Sequence, residues 1–113
     1  MNILNLLRSR DEVSVQAYIP TKSGRLIMSV VGGEGLYSLP REKVKTEEYT
    51  KLELAVFNME TEKWASYNEV KHIFELIGEG EYYDLGEEDS NNPCSAVFSY
   101  IEVEKLNKVW EML

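Results

Sequence analysis

The stretch that decides the fold is VSVQAYIPTKSGRLIMSVV, residues 13–31. Its first part, Val13–Ile19, alternates apolar and polar side chains, which is the pattern of a strand with one buried face. A turn cluster follows at residues 20–24, and Arg25–Val31 is then nearly all apolar, as in a strand from the middle of a sheet. The two segments predict a β-hairpin with a loop of about five residues.

Outside this hairpin, the spacing of apolar residues predicts further strands and three helices. The additional strands are expected at Leu52–Met59, at Trp64–Tyr67 as a short edge strand, and at Ala96–Ile101. The helices are expected at Asn2–Ser9, Glu69–Ile77 and Glu102–Leu113. Pro40 is expected to open a short helical turn through Lys45, and residues 78–95 are expected to form a long acidic loop.

This order of elements predicts one domain, residues 1–113, with an α+β fold. The strands follow one another at hairpin spacing, without regular alternation with helices, so we expect a mainly antiparallel sheet of about four to five strands with helices packed on one face. The expected core consists of Leu54, Val56, Ile73, Phe74, Ile77, Val97, Leu106, Val109 and Trp110.

The net negative charge of the chain is concentrated in one part of it. Residues 75–104, here the acidic segment, contain nine acids and no Lys or Arg, whereas the remainder carries eleven acids and twelve bases. Such a segment repels polyanions and attracts basic surfaces. Because the pI is about 4.7 and the bases are scattered among acids, direct nucleic-acid binding is disfavoured.

No metal, cofactor or catalytic residue is predicted. A zinc site needs about four ligands, and His72 and Cys94 are the only histidine and cysteine. A Cys–His nucleophile pair has no support in their spacing. A calcium loop starting at Asp89 fails because Pro93 stands at its fifth position. Two of the twenty acids can still converge as a catalytic pair, so an enzymatic role stays open, although the absence of a motif favours a non-enzyme.

The glycine-rich loop, residues Gly32–Arg41, is a second candidate site. Its sequence fails as a dinucleotide-binding fingerprint, because Ser38 occupies the third position after Gly35, Pro40 interrupts any helix, and Glu34 would repel phosphate. The simpler interpretation is a bulge or wide turn. The candidate ligand-binding residues are Gly32, Gly33, Gly35, Tyr37, Ser38 and Arg41.

The acidic segment supplies the main candidate site, a partner-binding surface. Acidic runs are most often solvated faces, but carboxylates along a surface can also occupy a groove that normally holds phosphates, and tyrosines among them are good interface anchors. The candidate residues are Glu79, Glu81, Tyr82, Tyr83, Asp84, Glu87, Glu88 and Asp89. The expected partner is a protein with a basic surface, such as one that binds nucleic acid.

The chain is expected to be soluble and cytoplasmic. It has one cysteine, so no intrachain disulfide forms, and no window approaches the roughly 18 apolar residues of a membrane span.

The segment Val30–Glu42 resembles part of small accessory proteins from phages and mobile elements of Gram-positive bacteria. In those proteins a similar Gly-rich, Tyr-Ser, Pro-Arg loop precedes a strand like Leu52–Asn58, and a strand and helix like Val97–Leu106 close the chain. The resemblance implies a context, either conflict between phage and host or a phage accessory function, and no particular reaction.

Three hypotheses follow. The first is a small protein-binding module of phage origin that inhibits a host defence protein handling nucleic acid. The second is a small-ligand-binding or enzymatic domain that uses the loop Gly32–Arg41. The third is a structural or homo-oligomeric accessory protein.

Overall fold

The computed structural model of the protein describes residues 2–65, 73, 81–84 and 96–112, with residues 81–84, 96 and 97 described by their backbone alone. The strands are β1 (Arg8–Ser9), β2 (Ser14–Pro20), β3 (Leu26–Gly33), β4 (Lys51–Asn58), β5 (Lys63–Trp64), β6 (Glu81–Asp84) and β7 (Ala96–Glu102). The helices whose bounds lie in the described residues are two 3-10 helices, Ile3–Leu6 and Thr46–Glu48, and one α-helix, α1 (Val103–Met112).

The strands form one antiparallel sheet in the order β1-β2-β3-β4-β7-β6, and β5 pairs with β4 beyond the end of β7. Together with α1 this sheet makes an α+β fold with mostly antiparallel pairing, as predicted. The described residues contain seven strands instead of about four to five, because β1 and β6 were not expected.

The predicted hairpin is present and lies near the middle of the sheet. β2 and β3 pair in one continuous register from Ser14 opposite Gly33 to Pro20 opposite Ile27. Thr21 N–H donates to the carbonyl of Leu26 at 3.0 Å and closes the loop. β3 is flanked on its other side by β4, which confirms its central position.

β4 shows the alternation on which its prediction rested. Leu52, Leu54, Val56 and Asn58 are buried, while the residues between them are only partly covered. A slip of one residue in its pairing would move Glu53 to the core face and Leu54 away from it. This pattern fixes the register of β4 against β3 and β7, and it defines the core face of the sheet.

The core cluster joins that face of the sheet to residues of the 3-10 helix Ile3–Leu6 and of α1, which is the one α-helix with described bounds. The predicted core residues described as buried are Leu54, Val56, Ile73, Leu106 and Val109, and Trp110 packs against them while partly exposed. Phe74, Ile77 and the side chain of Val97 lie outside the described residues. Phe98, 1 % exposed, was not predicted and is the largest fully buried side chain among those described. None of the helices in residues 2–65 and 96–112 has the length and hydropathy to cross a membrane.

The prediction of an N-terminal helix over Asn2–Ser9 is wrong beyond its first turn. The helical part is the 3-10 helix Ile3–Leu6, after which Leu7 is extended and Arg8–Ser9 pair with β2 as β1. Ile3 N–H donates to Oδ1 of Asn107 at 2.7 Å, so the short helix is held against α1. A four-residue segment anchored in this way needs no further helical turns to satisfy its backbone.

The helical turn predicted from Pro40 to Lys45 is also wrong, because the nearest helix is Thr46–Glu48. The backbone groups of this segment find other partners. The buried Tyr49 hydroxyl donates to the carbonyl of Glu42 at 2.7 Å and accepts from Val44 N–H at 3.4 Å. Side-chain hydrogen bonds of this kind replace the helical ones.

The acidic loop predicted over residues 78–95 contains a strand. Glu81–Asp84 form β6, which pairs with β7 from Glu81 opposite Ser99 to Asp84 opposite Ala96. Charged residues had argued for a loop, but pairing with β7 overrides this weak local preference. The predicted helix Glu69–Ile77 lies outside the described residues except for Ile73, which is helical and buried.

We expect Phe98→Ala to lower the free energy of unfolding by about 3–5 kcal/mol, since it removes a buried aromatic ring and leaves a cavity. Tyr18→Ala is the control, because Tyr18 is 62 % exposed and its loss should cost about 0.5 kcal/mol or less. Urea unfolding of both variants measures the difference, and equal stabilities would contradict the assignment of Phe98 to the core.

Candidate functional site

The glycine-rich loop begins where β3 packs closely against the residues at the start of β2 and just before it. Gly33 has a φ of 142°, and a Cβ there would collide with the carbonyl oxygen of Val13 and with Ser14. At Gly32 a Cβ would lie 2.7 Å from the side chain of Leu52. These two glycines therefore permit close packing of the protein on itself.

Ser38, a predicted ligand-binding residue, is committed to the loop itself. Its side chain is fully buried, and its Oγ accepts from Gly33 N–H at 3.0 Å. The same hydroxyl donates to the carbonyl of Pro40 at 2.9 Å. One serine thus joins the start of the loop to its end, and its donor proton is already used.

Tyr37 and Arg41 lie together at the surface of the loop. Nε of Arg41 donates to the carbonyl of Leu36 at 3.0 Å, and its guanidinium carbon lies 5.8 Å from the centre of the Tyr37 ring. The Tyr37 ring in turn meets Tyr100 edge to face, with centroids 5.8 Å apart. The structure brings these two predicted residues into one cluster, in which the guanidinium is held by the loop backbone.

A β-bulge in β7 fixes the position of this cluster. Glu53 is the single residue between Leu52 and Leu54, yet two residues of β7, Ser99 and Tyr100, face it. Tyr100 takes a φ of 54°, which is uncommon for an aromatic residue, and its N–H donates to the carbonyl of Tyr37 at 3.0 Å. The extra residue of the bulge thus supplies the hydrogen bond that docks the loop on the sheet.

Glu53 is partly buried beside this bulge. Burial raises the pKa of its carboxyl, and this effect is opposed by the hydrogen bond from Tyr37 N–H at 3.4 Å and by the positive charge of Arg10. This partly desolvated carboxylate, which accepts a hydrogen bond from the loop backbone and feels the charge of Arg10, was not among the predicted site residues. A single acid at a polar strand position carries no signal of burial in the sequence.

The predicted partner-binding residues are described only in part. Glu81, Tyr82, Tyr83 and Asp84 form β6, with Tyr82 opposite Phe98 and Tyr83 opposite Val97 in backbone register. In the described sheet β6 is the last strand of the order, so it lies at an edge. Glu79, Glu87, Glu88 and Asp89 lie outside the described residues.

An aromatic patch on the face of the sheet opposite the core was not predicted. It lines a concave pocket with a volume of about 350 Å³. Its members, named here the aromatic patch, are Tyr18, Ile27, Phe57, Met59 and Trp64. The sequence carried a signal for it, because Phe57 and Met59 are apolar residues at positions of β4 and its following turn that alternate with the buried ones.

Within the described parts of the chain, no group of three or more His, Cys, Asp or Glu side chains is arranged to hold a metal ion. Comparisons of the chain with models of protein families, with curated proteins and with solved structures found no significant match.

The tight packing at the start of the loop predicts different outcomes for two glycines. Gly35→Ala should cost about 1–2 kcal/mol, because Gly35 has a φ of 77° but has open space around it. Gly33→Ala should cost more than about 3 kcal/mol, since a similar backbone strain is joined by a collision with backbone atoms that have to move. Thermal unfolding compares them, and equal losses would show that Gly33 is not tightly packed.

The burial of Glu53 predicts a pH-dependent effect of Glu53→Gln. Because the folded-state pKa is raised above its ordinary value of 4.5, the stability that this group contributes is present below that value and is lost as the pH rises through the raised pKa. The melting temperature of Glu53→Gln minus that of the original protein should therefore be higher at about pH 7 than at about pH 3.5. Melting temperatures at the two pH values test this, and a pH-independent difference would contradict it.

Proposed function

We propose that this protein is a small acidic protein-binding module of the cytoplasm, whose partner carries a basic, phosphate-binding surface. Its carboxylates would occupy positions on the partner that nucleic-acid phosphates otherwise fill. In the phage context suggested by the resemblance of the segment Val30–Glu42, the partner is a host defence protein that handles nucleic acid, and binding inhibits it.

The observation that carries the proposal is the segregation of charge. Nine acids without a single base in residues 75–104 produce a field of one sign, whereas the rest of the chain is nearly neutral. Long-range attraction of this kind accelerates encounter with a basic surface and opposes binding to nucleic acid or to anionic lipid.

The place of β6 supports the same function. Part of the acidic segment lies on β6, the last strand of the described sheet order. The edge strand of a sheet can offer backbone N–H and C=O groups to a further strand. A basic extended segment of a partner can pair with such an edge while its side chains meet the neighbouring acids. The edge would supply backbone hydrogen bonds and the acids would supply selectivity for positive charge.

The contacts of the glycine-rich loop make it the weaker candidate. Ser38 and Arg41, two of the three predicted polar side chains of that loop, are hydrogen-bonded to its own backbone. A ligand would have to compete for the Ser38 hydroxyl and for Nε of Arg41.

The proposal predicts a location-dependent effect of charge reversal. The partner would be captured from a lysate of the host cell, identified by its basic surface and purified. Glu87→Lys, Glu88→Lys and Asp89→Lys together should then slow its association at about 0.1 M salt by about tenfold or more, because steering depends on nearby charge.

The matched control reverses three exposed acids outside the acidic segment, Glu12, Glu47 and Glu111, and changes the net charge by the same amount. If the acidic segment makes the contact, the association rate of this control should change much less, since charges away from the contact are screened at this salt concentration. Equal slowing by both triple variants, or no slowing by the first, would overturn the proposal.

A further inference from the structure

The aromatic patch is a part of the described surface that folding alone does not explain. Three of its members are well exposed: Tyr18 at 62 %, Met59 at 47 % and Trp64 at 37 %. The core of the sheet lies on the opposite face, so these side chains are not needed to build it. Aromatic and methionine side chains gathered at one exposed place are typical of the centre of a protein–protein interface.

Strand pairing holds the patch in a fixed arrangement. Ile27 lies opposite Phe57 and Phe57 lies opposite Trp64, so three of the five residues form one row across β3, β4 and β5. The rings of Phe57 and Trp64 meet edge to face, with centroids 5.5 Å apart and planes at 84°. Side chains that are already ordered lose little entropy when a partner binds.

The surroundings of the patch carry balanced charge. Arg25 Nε lies 3.1 Å from Oε1 of Glu60, and both side chains are more than half exposed. Glu62 and Lys63 follow as a further pair of opposite sign. The patch itself therefore provides an apolar contact surrounded by charges of both signs. A preference for a partner of one charge has to come from another part of the molecule.

One register row links the patch to the acidic edge of the sheet. Tyr18 pairs with Ser29, Ser29 with Ala55, Ala55 with Val97, and Val97 with Tyr83 of β6. Four intervals between strands amount to about 19 Å. An interface of standard size, with about 800 Å² on each partner, is wide enough to include both places.

Charge complementarity decides between the candidate occupants. A second copy of the chain would carry the same formal charge of −8, which would oppose its approach. An anionic lipid surface is repelled for the same reason. A basic protein is attracted by the acidic segment and is carried to within reach of the patch.

We propose that the aromatic patch is the apolar anchor site for the same basic partner, which places an apolar side chain there while its basic surface meets the acidic edge at β6. This inference rests on the proposed function and adds to it a second, salt-insensitive half of the interface. The acidic half sets the association rate, and the patch sets the dissociation rate.

Two labelled peptides of about twelve residues serve as defined probes. In the first, a lysine half is followed by a leucine half, and each half spans about 20 Å when extended. In the second, serine replaces leucine. The leucine peptide should bind at least about tenfold tighter, because burying one leucine is equivalent to a factor of ten or more. Tyr18→Ser should remove most of this gain.

The matched control is Met112→Ser, since Met112 is also 62 % exposed but is not part of the patch. It should leave both affinities unchanged. Equal, salt-sensitive binding of the two peptides would overturn the anchor site and leave the proposed function standing. A leucine gain that survives Tyr18→Ser would overturn the assignment of the anchor to this patch.

If the proposed function is wrong, the peptide experiment gives a different result. If neither peptide binds at low salt, the acidic segment does not recruit basic partners, and the inference falls with it. Sedimentation adds the remaining test: a dimer that Tyr18→Ser dissociates would show that a second copy covers the patch, and this too would overturn the inference.

Discussion

The one-sided burial of β4 is the constraint on which the rest of the structure depends. Leu52, Leu54 and Val56 are inserted into the core at alternate positions, and β4 pairs with β3, β5 and β7. Because these pairings follow its register, that burial also determines which residues of the neighbouring strands face away from the core. It therefore places Phe57 and Trp64 on the outer face and, through β7, positions the acidic strand β6.

The same constraint explains which parts of the fold were predictable. Alternation in Val13–Ile19 and Leu52–Met59 is a local property of the sequence, and it located β2 and β4 within one or two residues. The bulge in β7 is not local. Tyr100 adopts its positive φ because the loop carbonyl of Tyr37 accepts its N–H, and only the assembled structure brings these residues together. Phe98 escaped prediction because the bulge interrupts the alternation of its strand.

The candidate site, like the fold, could be predicted from the sequence only in part. Segregated acids are visible in the sequence, and so are the glycines of the loop, but the sequence does not tell which polar groups are already satisfied. Ser38 looks available until its two backbone partners are seen. Conversely, Tyr18 occupies a polar position of an alternating strand, and only the pairing of four strands shows that it belongs to a patch with Trp64. The predicted partner-binding residues Glu79, Glu87, Glu88 and Asp89 stay a hypothesis from composition.

One basic partner is proposed to cover both the acidic edge and the aromatic patch. Amide hydrogen exchange, measured with and without the purified partner, tests this proposal most directly, since protection reports where the backbone is covered or newly hydrogen-bonded. We expect added protection in residues 81–84 and 57–64, with the loop Gly32–Arg41 unchanged. Protection confined to that loop, with neither of the other two segments affected, would contradict it.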